Sequence, residues 1–226
     1  MAATLRRLLA TRRVVEGDRL VKAGKWQAWG PGFMLGADLR GATLGIVGFG
    51  RIGRAVAQRA TGFGMRILFT DPFSFAQGRP GQAKPEAGVE ATQVDFDTLL
   101  RESDFVSLHT PLTDETRGLI NTDTLRRMKP TAVLVNTSRG PVVDQVALYN
   151  ALNSKRLFAA ALDVTDPEPL PMNNPLLRLE NCIVVPHIAS ASWRTREKMS
   201  VMAAENLIAG LKGERLPNCV NPEVYF

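Results

Sequence analysis

Six short apolar runs recur along the chain, and segments with helical patterning separate them. The apolar residues in each run are largely continuous, whereas a strand with one face in water would alternate apolar and polar residues. Continuous apolar strands joined by helices predict a parallel sheet covered by helices on both faces, which is the doubly wound α/β class. The predicted strands are residues 44–47, 66–70, 104–108, 132–136, 158–162 and 182–186. The predicted helices are residues 51–63, 95–102, 121–128, 144–154 and about 192–211.

The residues before and after these alternating strands and helices have different sequence patterns. Apolar residues recur over residues 1–24 as in a long amphipathic helix that breaks near Gly17 and ends at Gly24. Residues 25–43 are rich in glycine and aromatic residues, which predicts an irregular segment leading to the first strand. The expected parts are therefore a helix over 1–24, an arm over 25–43, a sheet domain over 44–187, and a final helix with its tail over 188–226.

Charge and cysteine content narrow the classes of function. A net charge of +6 suits anionic ligands such as dinucleotides and carboxylates, and also nucleic acid. No stretch is a dense Lys/Arg block with interleaved aromatics, so we favour a solvated basic surface and expect no nucleic-acid partner. Cys182 and Cys219 form no metal-binding or disulfide pattern, so no metal site is expected. Arginines interrupt the apolar start, and no run suits a membrane span, so we expect a cytoplasmic protein without a membrane partner.

A glycine-rich turn follows the first predicted strand and opens the first helix. Gly48 permits the tight turn, Gly50 lets a pyrophosphate approach the backbone, and Gly53 lets the helix pack close to the strand. The next strand ends at Asp71, where an acid would accept hydrogen bonds from ribose hydroxyls. Glycines that serve only helix packing are the alternative, but the strand–turn–helix setting favours a Rossmann dinucleotide site.

Asp71 also bears on which dinucleotide binds. An acid there repels a 2′-phosphate, so NAD(H) is favoured over NADP(H). The following residues, 72–93, are rich in glycine and proline and predict a long loop with at most a vestigial helix. Arg79 in that loop could fold back near the ribose, so NADP(H) stays possible.

Candidate reacting groups follow three of the later strands. His187 comes directly after residues 182–186, Arg139 lies after 132–136, and Glu168 lies after 158–162. The carboxyl ends of parallel strands share one edge of a sheet, so we expect these side chains to converge on one crevice. The second histidine, His109, also follows a strand, and we favour a structural role for it over proton transfer.

These three residue types suit hydride transfer between a nicotinamide and a carbonyl. Arg139 can bind a substrate carboxylate or the reacting oxygen with its planar fork of donors. His187 can donate a proton on reduction and accept it on oxidation, and Glu168 can orient its ring. The prolines on both sides of Glu168 predict a stiff, extended segment. The alternative interpretation of Glu168 is an ordinary loop acid.

Four separated motifs carry a family resemblance. "GIVGFGRIG", "VNTSRGPVVD", "AALDVTDPEPLP" and "VVPHIASAS" resemble the D-isomer-specific 2-hydroxyacid dehydrogenases, especially the glyoxylate/hydroxypyruvate reductase branch. The resemblance runs from about residue 4 to residue 222 and implies that Arg139, Glu168 and His187 are the catalytic set. It implies a cofactor site made of Gly48, Gly50, Arg51, Ile52, Gly53, Asp71, Thr110, Pro111, Thr137, Ser138, Arg139, Asp163, His187, Ile188 and Ala189.

The resemblance also implies individual roles. Asp163 would hold the nicotinamide carboxamide, Arg51 and Ile52 would lie over the pyrophosphate, and Thr110 and Pro111 would border the adenosine. One departure is Ala189, which stands where the family usually has glycine and could crowd the nicotinamide.

Implications for the whole assembly follow as well. The first helix would link two domains, and the arm would form a homodimer in which Trp29, or as second choice Trp26, approaches the partner's site or packs at the interface. Family members begin with roughly a hundred further residues, about the size of a domain, so much of the substrate domain is expected to be absent from this chain. The expected activity is reduction of glyoxylate or hydroxypyruvate. The alternatives are a nucleotide-sensing binding module of the same fold and an inactive remnant that still binds NAD.

Overall fold

The computed structural model describes residues 10–71 and 88–225. Within these residues seven strands form one sheet in the order β3-β2-β1-β4-β5-β6-β7, and every neighbouring pair is parallel. The strands are β1 (Thr43–Val47), β2 (Arg66–Thr70), β3 (Thr92–Gln93), β4 (Phe105–Leu108), β5 (Val133–Asn136), β6 (Ala159–Leu162) and β7 (Cys182–Val184). The predicted doubly wound α/β fold is confirmed.

Six helices of the described residues lie close to the predicted places. They are α1 (Val14–Lys22), α2 (Arg51–Thr61), α3 (Phe96–Glu102), α4 (Thr122–Arg127), α5 (Gln145–Asn153) and α6 (Trp193–Leu211). Short 3₁₀ turns are Gly140–Val142, Pro175–Arg178 and Pro222–Tyr225. Side-chain caps explain several helix starts: Asp95 accepts from the Thr98 N–H at 2.8 Å, and Asp144 accepts from the Val146 N–H at 2.9 Å.

The continuous apolar runs are explained by burial on both faces of the sheet. In β5 all four residues are buried, and its three apolar residues contribute to two separate cores. Leu134 belongs to the core with Leu148, whereas Val133 and Val135 belong to the core with Val56. Successive side chains of a strand point to opposite faces, so a strand that is covered on both sides is mostly apolar on both.

The break in the first helix was predicted at the wrong residue. Gly17 lies inside α1, and its N–H donates to the Arg13 carbonyl at 2.9 Å. The helical path is interrupted instead at Arg13, which has a left-handed φ of 52° and whose Nε donates to Glu16 at 2.7 Å. The predicted end at Gly24 holds, since Gly24 has a φ of 67° just after the helix. Residues 1–9 of the predicted helix lie outside the described residues.

A second difference concerns the predicted loop over 72–93. Its last residues form β3, where Thr92 pairs with Leu68 and Gln93 pairs with Phe69. Two residues are too few to show a periodic pattern, which is why the sequence did not reveal this strand. Residues 72–87 of the predicted loop lie outside the described residues.

The chain divides into two compact units, residues 1–187 and 188–226. The first holds the sheet, and the second holds α6, which begins after Ser192 as predicted and is followed by Gly213 with a φ of 72°. The separation of a linking helix and a dimer arm from the sheet domain stays a prediction. None of the helices that the structure describes combines the length and apolar character needed to cross a bilayer.

Candidate active site

The carboxyl ends of the central strands form one edge of the sheet. Main-chain hydrogen bonds continue past the last paired residues and tie the loops together there. The His109 N–H donates to the Val47 carbonyl at 2.8 Å, and the Asp163 N–H donates to the Asn136 carbonyl at 2.9 Å. The His187 N–H donates to the Asp163 carbonyl at 2.9 Å. The loops after β1, β4, β5, β6 and β7 therefore meet at one edge.

The glycine turn after β1 packs closely against backbone atoms, some of its own and some of the loop after β4. Gly48 has a φ of 89°, and a Cβ there would lie 2.7 Å from the His109 carbonyl oxygen. A Cβ on Gly53 would lie 2.2 Å from the Gly48 carbonyl oxygen. Gly50 differs, because nothing lies within 4 Å of the Cβ position it would carry. The turn is thus tight at its two outer glycines and open at the middle one.

The start of α2 has donor groups without a side-chain cap. Gly50 occupies the N-cap position and makes no side-chain hydrogen bond, and the next two residues, Arg51 and Ile52, are exposed. The first turn of a helix has N–H groups with no partner inside the helix, and it attracts anions. An open glycine beside these donors suits the phosphates of a dinucleotide.

The loop after β4 adds a polar atom beside the turn. The Thr110 side chain is 3% exposed, and its hydroxyl is buried without a hydrogen-bond partner in the described part of the chain. A buried polar atom without a partner is costly unless a ligand or water completes it. Pro111 next to it is exposed, and Asp71 after β2 is half-buried. These features fit a bound nucleotide.

His109 is held by its own strand. Its Nε2 lies 2.8 Å from the hydroxyl of Ser107, which is fully buried in β4. This contact gives the ring a structural partner and agrees with the interpretation favoured from the sequence.

The loop that carries Arg139 is shaped by a residue to which the sequence analysis gave no role. Asn136 is fully buried at the end of β5, and its Oδ1 accepts from the Ser138 N–H at 3.0 Å and the Ser138 hydroxyl at 2.8 Å. Its Nδ2 donates to the Arg139 carbonyl at 2.9 Å. Thr137 is half-buried between them, and Arg139 is exposed with Nη1 donating to the Ser138 carbonyl at 2.7 Å. Asn136 thereby fixes the backbone of the loop that carries Arg139.

His187 and Glu168 form the central contact of the site. His187 Nδ1 lies 3.0 Å from Glu168 Oε2, and the two side chains are 53% and 40% exposed. The other carboxylate oxygen, Oε1, accepts from the Thr165 N–H at 2.9 Å. Both carboxylate oxygens are therefore held, and the Nδ1 edge of the imidazole is fixed by its partner.

The segment around Glu168 is folded differently from the prediction. Residues 166–169 form a bend, so the segment is not extended, and the Asp166–Pro167 and Glu168–Pro169 peptide bonds are cis. The bend turns the Glu168 carboxylate back onto the Thr165 N–H. The sequence pattern predicted a restricted backbone and missed this contact three residues back.

The electrostatics of Glu168 reflect these contacts. Partial burial acts to raise the pKa of the Glu168 carboxyl, but hydrogen bonds from His187 and the Thr165 N–H outweigh it. The nearby charges of His187 and Arg139 act in the same direction, so the pKa of Glu168 lies below its usual value. The carboxylate form is thus favoured at neutral pH, as a hydrogen-bond acceptor for the imidazole requires.

A known protein family matches the part of the chain that contains the glycine turn and the His187 cluster. The family model for the NAD binding domain of D-isomer specific 2-hydroxyacid dehydrogenases matches residues 6–189. The chain belongs to this dehydrogenase family. The glycine turn and the Arg139, Glu168 and His187 side chains all lie within the matched residues, and so within the family's NAD-binding domain.

Individual relatives agree. The chain is 57% identical over 218 residues to a glyoxylate reductase of Korarchaeum cryptofilum, covering 96% of this chain and 64% of that relative. It is 47% identical over 212 residues to the glyoxylate reductase/hydroxypyruvate reductase of Homo sapiens, covering 93% of this chain and 62% of that relative. The chain therefore spans less than two thirds of the length of these relatives.

Solved structures share the fold. The TT0316 protein of Thermus thermophilus superposes with a TM-score of 0.87 at 47% identity, over 97% of this chain and 67% of that one. D-lactate dehydrogenase of Lactobacillus jensenii, solved with NAD+, superposes with a TM-score of 0.81 at 30% identity, over 96% of this chain and 66% of that one.

The other predicted residues lie in the following places. Ile188 and Ala189 begin the second compact unit. Trp29 and Trp26 in the arm are 81% and 59% exposed. Asp163 is buried, and its main-chain carbonyl accepts a hydrogen bond from the His187 N–H. The assigned roles of these residues stay predictions.

Other features of the dehydrogenase domain lie away from this edge. A cavity of about 500 Å³ lies at the opposite end of the sheet, near the first residue of β6, and is lined by residues such as Leu157, Phe158 and Ile183. Cys182 is buried, and burial raises the pKa of its thiol to about 12, which leaves it unreactive. In residues 10–71 and 88–225 no group of three His, Cys, Asp or Glu side chains could hold a metal ion.

Proposed function

We propose that this chain is the cofactor-binding and proton-transferring part of a reductase that converts a small 2-oxo acid to the D-2-hydroxy acid. The contact of 3.0 Å between His187 Nδ1 and Glu168 Oε2, with the Arg139 charge acting on the same carboxylate, carries the proposal. An oriented imidazole beside a guanidinium offers a proton donor and an anion-binding group to a carbonyl acid.

Each side chain has a separate task. A bound reduced nicotinamide would supply a hydride to the carbonyl carbon. His187 donates the proton that the carbonyl oxygen gains, and Nε2 carries out this step because Nδ1 is engaged by Glu168. Arg139 binds the substrate carboxylate or the reacting oxygen through its planar donors. Glu168 fixes the ring orientation and stabilises the imidazolium when the reaction runs as an oxidation.

The cofactor in this proposal is NAD(H) in preference to NADP(H). Gly50 and the α2 N-terminus hold the pyrophosphate, and Asp71 accepts hydrogen bonds from the ribose hydroxyls and repels a 2′-phosphate. The remaining proposed cofactor contacts are Gly48, Arg51, Ile52, Gly53, Thr110, Pro111, Thr137, Ser138, Arg139, Asp163, His187, Ile188 and Ala189. The open face of Gly50 and the buried hydroxyl of Thr110 support this assignment.

Glyoxylate and hydroxypyruvate are the proposed substrates. Both are small 2-oxo acids whose carboxylate suits Arg139, and the similar proteins from Korarchaeum cryptofilum and Homo sapiens are glyoxylate reductases, the latter also a hydroxypyruvate reductase.

The functional form in this proposal is a homodimer that forms through the arm at residues 25–43. Large exposed aromatic side chains are common at interfaces, and Trp29 and Trp26 are both well exposed here. Sedimentation velocity of the wild-type chain and of Trp29→Ser tests this. A dimer that the substitution weakens supports the arm as the interface, and a wild-type monomer at assay concentration contradicts it.

An NADH oxidation assay tests the activity. The chain is mixed with NADH and, separately, with glyoxylate, hydroxypyruvate or pyruvate, and the same series is run with NADPH. Because the chain spans 64% of the glyoxylate reductase it resembles, a form extended by any upstream coding sequence is assayed beside it. Oxidation that needs a 2-oxo acid and is faster with NADH is expected.

One control variant and the pattern of outcomes decide the test. Arg139→Lys keeps the positive charge but loses the planar fork, so it should raise the KM for the acid while NADH binding is retained. If neither form of the protein oxidises NADH with any of the three acids, the reductase is excluded. Tight NADH binding without turnover would then favour the nucleotide-sensing module.

A further inference from the structure

The loops that carry Arg139 and Glu168 touch through their main chains. A Cβ on Gly140 would lie 1.9 Å from the Thr165 carbonyl oxygen and 2.9 Å from the Asp166 nitrogen. These atoms belong to backbone, so they cannot rotate away as the end of a flexible side chain would. Even the smallest side chain at residue 140 must therefore push the two loops apart.

The peptide unit that faces Gly140 belongs to the residue that holds Glu168. The Thr165 N–H donates to Glu168 Oε1 at 2.9 Å, and the Thr165 hydroxyl donates to the Pro167 carbonyl at 2.9 Å. Glu168 Oε2 in turn lies 3.0 Å from His187 Nδ1. A displacement of Thr165 is thus passed to the carboxylate and from there to the imidazole.

A second contact joins the same two loops. Gln145 is the first residue of α5, where Asp144 caps the helix and fixes its start. The Gln145 side-chain amide donates to the Asp166 carbonyl, on the other side of the Thr165–Asp166 peptide bond. Residues 165–166 are therefore contacted twice, by Gly140 from the loop after β5 and by Gln145 from the start of α5.

We propose that Gly140 and Gln145 are positioning residues that set the Glu168 carboxylate against Arg139 and His187. They act through Thr165 and Asp166 and are not catalytic residues. The effect on turnover rests on the proposed function, whereas the effect on His187 does not, because it depends only on the hydrogen bond from Nδ1.

The state of the His187 ring separates positioning from simple support of the fold. A neutral imidazole carries its proton on Nδ1 when a carboxylate accepts there, and the balance moves toward Nε2 when that acceptor is displaced. With two histidines in the chain, nitrogen-15 NMR of the imidazoles resolves His187 from His109. Loss of support alone would lower the melting temperature and leave the tautomer ratio of the folded protein unchanged.

The experiment compares matched variants of the full chain. Gly140→Ala adds the obstructing Cβ, and Gln145→Glu keeps the side-chain shape but replaces the donor by an acceptor that faces the Asp166 carbonyl. Glu168→Gln is the positive control. Gly62→Ala and Val146→Ala are the matched negative controls, since a Cβ on Gly62 would lie 3.6 Å from its nearest atom and Val146 is 71% exposed.

In Gly140→Ala and Gln145→Glu we expect the Nδ1–H to Nε2–H ratio of His187 to fall about fivefold, the change that loss of one hydrogen bond produces. Turnover should fall by about 10- to 100-fold, as for a small misplacement of a reacting group, with NADH affinity nearly unchanged. Both negative controls should match wild type.

The outcomes are distinguishable from those of the activity assay. If Glu168→Gln shifts the tautomer ratio and the other two variants keep the wild-type ratio, the positioning role is excluded while the reductase stands. If the three variants shift the ratio and wild type turns over no acid, the reductase fails and the positioning role stands. If Gly140→Ala does not fold, Gln145→Glu alone decides.

Discussion

The glycine turn and the His187 cluster lie at the same edge of the sheet but are built in opposite ways. The turn spans residues 48–53, and its tightest contact joins two of its own members, Gly53 and the Gly48 carbonyl. The cluster draws Arg139, Glu168 and His187 from three loops that follow β5, β6 and β7. A dinucleotide site can therefore form from a short contiguous segment, whereas the reacting groups need several loops held in place.

The two regions also differ in what fills them. Glycines provide the turn, so their function is the absence of side-chain atoms, and substitution acts by adding bulk. The cluster consists of ionisable side chains that are exposed or half-exposed, and substitution there acts by removing a proton donor or acceptor. Changes in the turn should act on stability and cofactor affinity, and changes in the cluster should act on turnover.

The largest expected effect comes from removing the proton donor. His187→Ala should lower the turnover of a 2-oxo acid by about 10²- to 10⁴-fold, the usual contribution of a positioned acid. The dissociation constant for NADH should change much less than turnover, because His187 is only one of the proposed cofactor contacts and the glycine turn is built without its side chain. Steady-state kinetics and NADH fluorescence titration measure the two quantities. If His187→Ala kept its turnover but lost NADH affinity, His187 would belong to the cofactor site and would not be the proton donor.

The turn can be separated into its tight and open glycines by two substitutions. Gly48→Ala forces a side chain into a φ of 89° and to 2.7 Å from the His109 carbonyl oxygen. It should reduce the free energy of unfolding by about 1–3 kcal/mol. NADH affinity should also fall, by roughly tenfold for each 1.4 kcal/mol of lost interaction.

Gly50→Ala provides the contrast. No atom lies within 4 Å of the Cβ that it would add, so chemical denaturation should show nearly wild-type stability. The same methyl group would occupy the space where a pyrophosphate approaches, so NADH affinity should fall. Equal NADH affinity in wild type and Gly50→Ala would show that the open side of the turn does not face the cofactor.

The smallest expected effect is the pH dependence of the cluster. The pKa of Glu168 is lowered in the folded protein, so its contacts stabilise the fold above the ordinary glutamate pKa of 4.5 and are lost as pH falls below it. The gain is expected to stay below about 1 kcal/mol because water screens a part-exposed pair. Denaturation of wild type and Glu168→Gln should give a stability difference that shrinks as the pH falls into the acid range. A difference that grows in acid would contradict the lowered pKa.

The same contrast explains how far the sequence could be interpreted. The strands were predictable because burial on both faces of the sheet produces short, mostly apolar runs. The turn was predictable because the spacing of its glycines reports local geometry. The His187 and Glu168 contact was expected from chemistry, but its supports were not. Asn136 acts through hydrogen bonds to two nearby residues, Ser138 and Arg139, and such contacts have no sequence pattern of their own.

The contacts missed by the sequence analysis mostly involve backbone. Gly140 packs against the Thr165 carbonyl, 25 positions away (165 − 140), and the Gln145 amide donates to the Asp166 carbonyl. Every residue has a backbone carbonyl, so the residue types at 165 and 166 do not reveal these contacts. The break in α1 was wrong for a similar reason, since Gly17 keeps a normal helical hydrogen bond and Arg13 takes the left-handed conformation. Local composition shows where a backbone can bend but does not select the residue that does.

The two borders of the sheet bear on how the protein behaves at high concentration. The border strands are β3, with two residues, and β7, with three, whereas β1 and β2 inside the sheet have five each. A border strand exposes backbone donors and acceptors on which a neighbouring molecule can add a strand. Strands this short offer such a neighbour few hydrogen bonds. The strand lengths therefore disfavour edge-to-edge aggregation of a chain whose central strands are among its most apolar segments.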